Sequence, residues 1–133
     1  MENLDKALKS MTFEFFGGGN HKMTAEKFMN AENTFFLDVR AMEEFETLSF
    51  GLKYHMPSAH IPINQVCDRI NELPKDKTIG IFCASGNRST MVYLYLKAHG
   101  FDNVRIIEGG YNELVAELKP GKLLQKLKEP VLS

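Results

Sequence analysis

Cys83 ends a short apolar run, and the residues after it, Ala84-Ser85-Gly86-Asn87-Arg88, are small, polar or cationic. Thr78 to Phe82 read as a buried strand, and the apolar residues from Ser89 to His99 repeat with a helical period up to Gly100, a helix stop. A thiol at the C-terminal tip of a strand, followed by a tight loop into a helix N-terminus, is placed to act as a nucleophile. The loop amides, the helix dipole and the Arg88 charge all favour a thiolate. The same groups would hold an anion, or a sulfur that becomes one. A free cysteine is also a small hydrophobe at home in a core. Ser85, Gly86, Asn87 and Arg88 are poor core residues, and they favour the reactive reading. Ser89 at the helix start is expected to cap it, with a hydroxyl that can also reach the sulfur.

The elements that must carry this loop can be traced from the ends of the chain inward. Residues Met1 to Asn20 form a leader that ends in Phe15-Phe16-Gly17-Gly18-Gly19-Asn20, where the glycines break regular structure. Phe13, Phe15 and Phe16 are too apolar for a free tail and are expected to pack on the domain or on a second subunit, which makes a homodimer one arrangement to test. Thr24 caps a short helix over Ala25 to Asn30. Thr34 to Val39 is a continuous apolar strand of the parallel-sheet kind. Met42 to Phe45 is a helical turn, and Ala59-His60-Ile61-Pro62 a short strand that Pro62 confines to an end or an edge. Ile63 to Leu73 reads as an amphipathic helix, with Cys67 on its apolar stripe as inert core. Val104 to Ile107 is a further strand, Tyr111 to Leu118 a helix, Pro120-Gly121 a break, and Leu123 to Lys128 a final amphipathic turn or two. Alternating strands and helices predict an α/β domain over residues 21–133 with a mainly parallel sheet. Functional groups in such folds lie beyond the carboxyl ends of the strands, where Asp38, Cys83 and Glu108 all fall.

Bulk composition narrows the function classes. The chain has 133 residues, of which 44% are hydrophobic and 25% charged, and a net charge of −1. That length supports a core without disulfides or metal. The charge balance offers no footprint for nucleic acid or a membrane surface. No apolar run approaches the ~20 residues that span a bilayer. The polar, acidic start lacks the pattern of a signal peptide, so the expected compartment is the cytoplasm. Two cysteines, Cys67 and Cys83, are too few for a metal cage or a disulfide framework.

Four motifs in order resemble those of the rhodanese-type sulfurtransferases in their single-domain form. They are Leu37-Asp38-Val39-Arg40 with Glu44-Phe45, then Ala59-His60-Ile61-Pro62, then the Cys83 to Arg88 loop, then Glu108-Gly109-Gly110-Tyr111. The resemblance covers about Met23 to Leu118. It implies a central five-stranded, mainly parallel sheet flanked by helices on both faces. It also implies a cysteine that carries a persulfide from a sulfane-sulfur donor (thiosulfate, polysulfide or another persulfide) to a thiol, cyanide or protein-cysteine acceptor, with no cofactor and no metal. The persulfide would be Cys83–S–S⁻, cradled by the amides of Ala84, Ser85, Gly86, Asn87 and Arg88. Ala84 stands where family members efficient with thiosulfate often carry a cation, leaving Arg88 to meet an anionic donor.

The other motif residues have structural and functional readings side by side. Arg88 binds donor anion, pins the loop through a carboxylate, or does both. Asp38 and Arg40 are expected to be structural, with the Arg40 guanidinium reaching Glu44 or a backbone carbonyl. His60 is expected to make a structural hydrogen bond, and Glu108 to shape the pocket entrance beside a Gly109-Gly110 turn. Cysteine phosphatases and arsenate reductases use a related cradle with five residues between cysteine and arginine. Here Ala84, Ser85, Gly86 and Asn87 alone intervene, a ring that suits one sulfur better than a phosphate. A non-catalytic binding or signalling module of the same fold is the other alternative, though such modules commonly lose the cysteine.

Overall fold

The computed structural model describes the backbone of residues 2–132 and the side chains of residues 2–127. Met1, Ser133 and the side chain of Lys128 lie outside the described residues. Five strands form one sheet: β1 (Lys22–Thr24), β2 (Thr34–Asp38), β3 (Ser58–His60), β4 (Thr78–Phe82) and β5 (Val104–Glu108). Their order is β1-β5-β4-β2-β3, and every pair is parallel. β2 and β4 lie side by side in the middle, with Asp38 level with Phe82, so both chains leave the sheet together at its carboxyl edge.

Alternation along these strands divides the apolar residues between two faces. Phe35, Leu37, Val39, Ile79, Ile81 and Cys83 belong to one cluster, and Phe36, Phe82 and Ile107 to the other. The first is covered by α6 (Asn87–Ala98) through Val92, Tyr93 and Leu96. The second is covered by α3 (Ala25–Asn30) and α7 (Gly110–Ala116) through Phe28, Met29 and Leu114. Thr24 caps α3 as expected, accepting from the Lys27 amide at 3.2 Å.

Several expectations are corrected. The leader carries two helices that its reading did not include: α1 (Glu2–Lys9), which packs on α6, and α2 (Phe13–Gly17). Met11 and Phe15 pack against the first cluster, whereas Phe13 is 87% exposed. β1 was not anticipated, because three residues are too few for a periodic signal. The helix expected over Ile63 to Leu73 is a four-residue α5 (Val66–Arg69) between 3₁₀ turns at Ile63–Gln65 and Ile70–Glu72. The tighter 3₁₀ winding puts Ile63 in line with Val66 and turns Cys67 out to solvent, so Cys67 is exposed rather than core. Pro120 does not break the chain. It is the first residue of α8 (Pro120–Leu132), where its fixed φ fits and its missing N–H costs nothing. No helix among the described residues is long and apolar enough to cross a membrane.

Candidate active site

Cys83 follows β4 directly, and the loop behind it turns back within three residues to start α6. Gly86 makes that turn possible: its φ of +92° is left-handed, and it stands at the N-cap of α6. The helix therefore begins at Asn87, two residues earlier than its apolar period indicates, and Ser89 lies inside the first turn rather than at the cap. The expected capping role of Ser89 is overturned. Its side chain is fully buried, and its Oγ has no well-aligned partner.

The loop amides converge on the sulfur. Cys83 Sγ accepts from the Gly86 amide at 3.0 Å and from the Ser89 amide at 3.3 Å. Burial raises the Cys83 pKa, since the residue is only 2% exposed. The Ser89 hydroxyl and the amides of Ser89, Ser85 and Gly86 favour the thiolate and outweigh it, so the net direction is down. The Ser89 Oγ makes no hydrogen bond among the described residues, and its pull on the Cys83 pKa is downward.

Arg88 reaches across to α4 (Met42–Thr47), and its charge also acts on Cys83. Its Nη2 lies 3.0 Å from Glu44 Oε2, and Nη1 donates to Oε1 of the same carboxylate. Of the two readings of Arg88, the geometry favours the pin. Glu44 also takes a bond from the Ala41 amide at 2.9 Å, and Arg88 with this amide holds its pKa down to about 2.

Arg40 is completely buried and, as expected, reaches backbone carbonyls, with Nη1 3.5 Å from that of Glu44. It also grips Asp38, with Nε 2.9 Å from Oδ1 and Nη2 2.6 Å from Oδ2. It also donates to the Leu48 carbonyl at 2.8 Å and to Tyr111 Oη at 3.0 Å. Burial lowers the Arg40 pKa, but Asp38 and Tyr111 more than offset this and keep the guanidinium charged. The rings of Phe50, Phe82 and Tyr111 surround it with centroids 5.4–5.6 Å away. His60 Nε2 meets the Arg40 carbonyl at 2.7 Å, and its ring stacks on Phe45 at 4.1 Å. Buried Asp38 and Arg40, with half-buried His60 on the Arg40 carbonyl, thus form one group that fixes α4, and α4 presents Glu44 to Arg88.

Glu108 lies on the other side of the loop, paired with Lys22 at 3.3 Å. Gly110, with φ of +59°, packs so closely that a Cβ there would come 2.7 Å from the Ala84 carbonyl oxygen. The Glu108–Gly110 turn is therefore a wall against the loop. Among the described residues, no group of three His, Cys, Asp or Glu side chains is arranged to hold a metal. Sequence reading missed Glu44 as the partner of Arg88, Tyr111 as a partner of Arg40, and His21 and Lys22 beside the loop. The acidic–aromatic pair Glu44-Phe45 was the available signal for the first; His21 and Lys22 carried none.

A family model described as Rhodanese-like domain matches residues 23–117. A tRNA sulfurtransferase of Psychromonas ingrahamii is 36% identical over 76 residues, a match that takes in 57% of this chain but only 16% of that protein. A sulfurtransferase of Allochromatium vinosum is 29% identical over 86 residues, 65% of this chain and 76% of that protein. The crystal structure of a rhodanese-related protein from Thermoplasma volcanium superposes with a TM-score of 0.62 at 29% identity, covering 75% of this chain and 95% of that one.

Proposed function

The chain belongs to the rhodanese-like family, and from that premise we propose that it is a sulfurtransferase whose sulfur carrier is Cys83. The observation that carries this reading is the sulfur itself, held at the end of β4 by the amides of Gly86 and Ser89 with its pKa lowered. A thiolate so held needs no general base. Cys83 Sγ⁻ attacks the outer sulfur of an anionic donor such as thiosulfate. The donor S–S bond breaks, sulfite leaves with the bonding pair, and Cys83–S–S⁻ remains. Cyanide or a thiolate then takes the outer sulfur and returns the Cys83 thiolate, so the cycle is ping-pong and proton-neutral. Further donors are available for the added charge: among the described residues, the amides of Ala84, Asn87 and Arg88 have no protein acceptor.

The test is intact mass spectrometry of wild type and Cys83→Ala after incubation with thiosulfate or polysulfide. A gain of one sulfur, ~32 Da, is expected in wild type alone and should be removed by cyanide, as a covalent carrier requires. No adduct with any sulfane donor would overturn the reading and favour a non-catalytic module. Phosphatase activity that disappears in Cys83→Ser would favour a phosphatase instead.

A further inference from the structure

The donors considered above are anions, yet the loop has little charge with which to meet them. Ala84, Ser85, Gly86 and Asn87 carry none, and both Nη atoms of Arg88 are taken by Glu44. An open cavity of about 420 Å³ lies beside this loop, bounded by the Glu108–Gly110 turn and by His21 and Lys22. Lys22 is the cation of that lining, half exposed, with Glu108 as its counter-ion at 3.3 Å. An ion pair so open to water is readily exchanged for another. His21 next to it leaves Nδ1 buried with no hydrogen-bond partner among the described residues. Both residues precede position 23, where the family match begins, so this wall belongs to the chain's own N-terminal segment.

We propose that Lys22, with His21 beside it, is the specificity element for an anionic sulfur donor, supplying a cation that, unlike Arg88, lines the open cavity. The inference rests on the sulfur-transfer reading of Cys83. Lys22 draws the anionic donor into the cavity beside the loop that carries Cys83. The same ammonium then faces the anion released when the donor S–S bond breaks. Glu108 competes with the donor for Lys22 and sets how strongly an anion is drawn in. The two partners therefore act in opposite senses: losing Lys22 weakens anion capture, and losing the Glu108 charge strengthens it.

Alkylation of Cys83 tests this without requiring turnover. Wild type, Lys22→Gln, Lys22→Arg and Glu108→Gln are each treated with iodoacetate, an anion, and iodoacetamide, its neutral analogue. The ratio of the two rates cancels changes in thiolate population. Lys22→Gln is expected to lower that ratio about fivefold, the effect of one nearby unit charge facing water. Lys22→Arg retains the ratio and Glu108→Gln raises it. With thiosulfate as donor, KM should rise in Lys22→Gln and fall in Glu108→Gln while kcat changes little. Equal ratios in all variants, with Cys83 still alkylated and still gaining sulfur, would overturn the assignment and leave the sulfur-transfer reading standing. Shifts of the same sign in Lys22→Gln and Glu108→Gln would overturn it too, because they indicate a pair that merely ties β1 to β5. A wild-type Cys83 that neither alkylates nor gains sulfur would remove both.

Discussion

The behaviour of Cys83 is decided by a contest between burial and hydrogen bonding at a single atom. Burial alone would raise its pKa and leave an inert thiol; the Ser89 hydroxyl and the surrounding amides reverse the sign. A depressed folded-state pKa means that the thiolate persists to lower pH than in an ordinary cysteine. The rate of iodoacetamide alkylation against pH should therefore have its half-point below that of free cysteine. Ser89→Ala removes one donor and should move the half-point up, because the neutral thiol loses less than the thiolate. An unchanged half-point would exclude the hydroxyl from the site. The type and position of Cys83 were readable because the loop is local, with every donor within six residues of the sulfur. The fate of Arg88 was not, since its partner Glu44 lies 44 positions away and Arg40 was a nearer candidate for that carboxylate.

At the scale of elements, α4 is held from two sides. Arg40 binds it from within through the Leu48 carbonyl, and Glu44 links it across to the first turn of α6 through Arg88. Because the Glu44 pKa is lowered to about 2, the link contributes its full stability above the unfolded carboxyl pKa of ~4.3 and loses it as pH falls through about 2. The Tm difference between wild type and Glu44→Gln should accordingly shrink over that acid interval and level off above it. The half-exposed setting keeps the effect modest. A pH-independent difference would mean that Glu44 acts through packing alone. Sequence patterning placed α3, α4, α6 and the strands β2 to β5 within a few residues. It failed over residues 63–73, where 3₁₀ turns imitate the apolar spacing of an α-helix and expose Cys67.

At the scale of the molecule, the N-terminal segment belongs to the structure of the domain. Met11 and Phe15 join the cluster that also contains Cys83, and Ala7 is buried against α6. Removing residues 2–17 strips that face of α6 and should lower Tm by several degrees, as loss of buried apolar side chains does in a chain of this size. Calorimetry of the truncated and full chains checks it, and equal Tm values would mean that the helices merely rest on the surface. Phe13 and Phe16 remain exposed, at 87% and 50%.

The sequence by itself determined the parallel α/β architecture and the position of the reactive cysteine. Both follow from short-range signals: apolar runs, helix stops and a glycine where the chain must turn. It also carried the family, through four motifs spread along the chain. The tertiary structure alone decided the pairs of Arg88 with Glu44 and Lys22 with Glu108, because their partners come from different elements. Ion pairing depends on burial and distance after packing, and neither is written in sequence spacing. Packing paired Arg88 with Glu44, one of the two arrangements its position allows, and left Lys22 lining the cavity beside the loop.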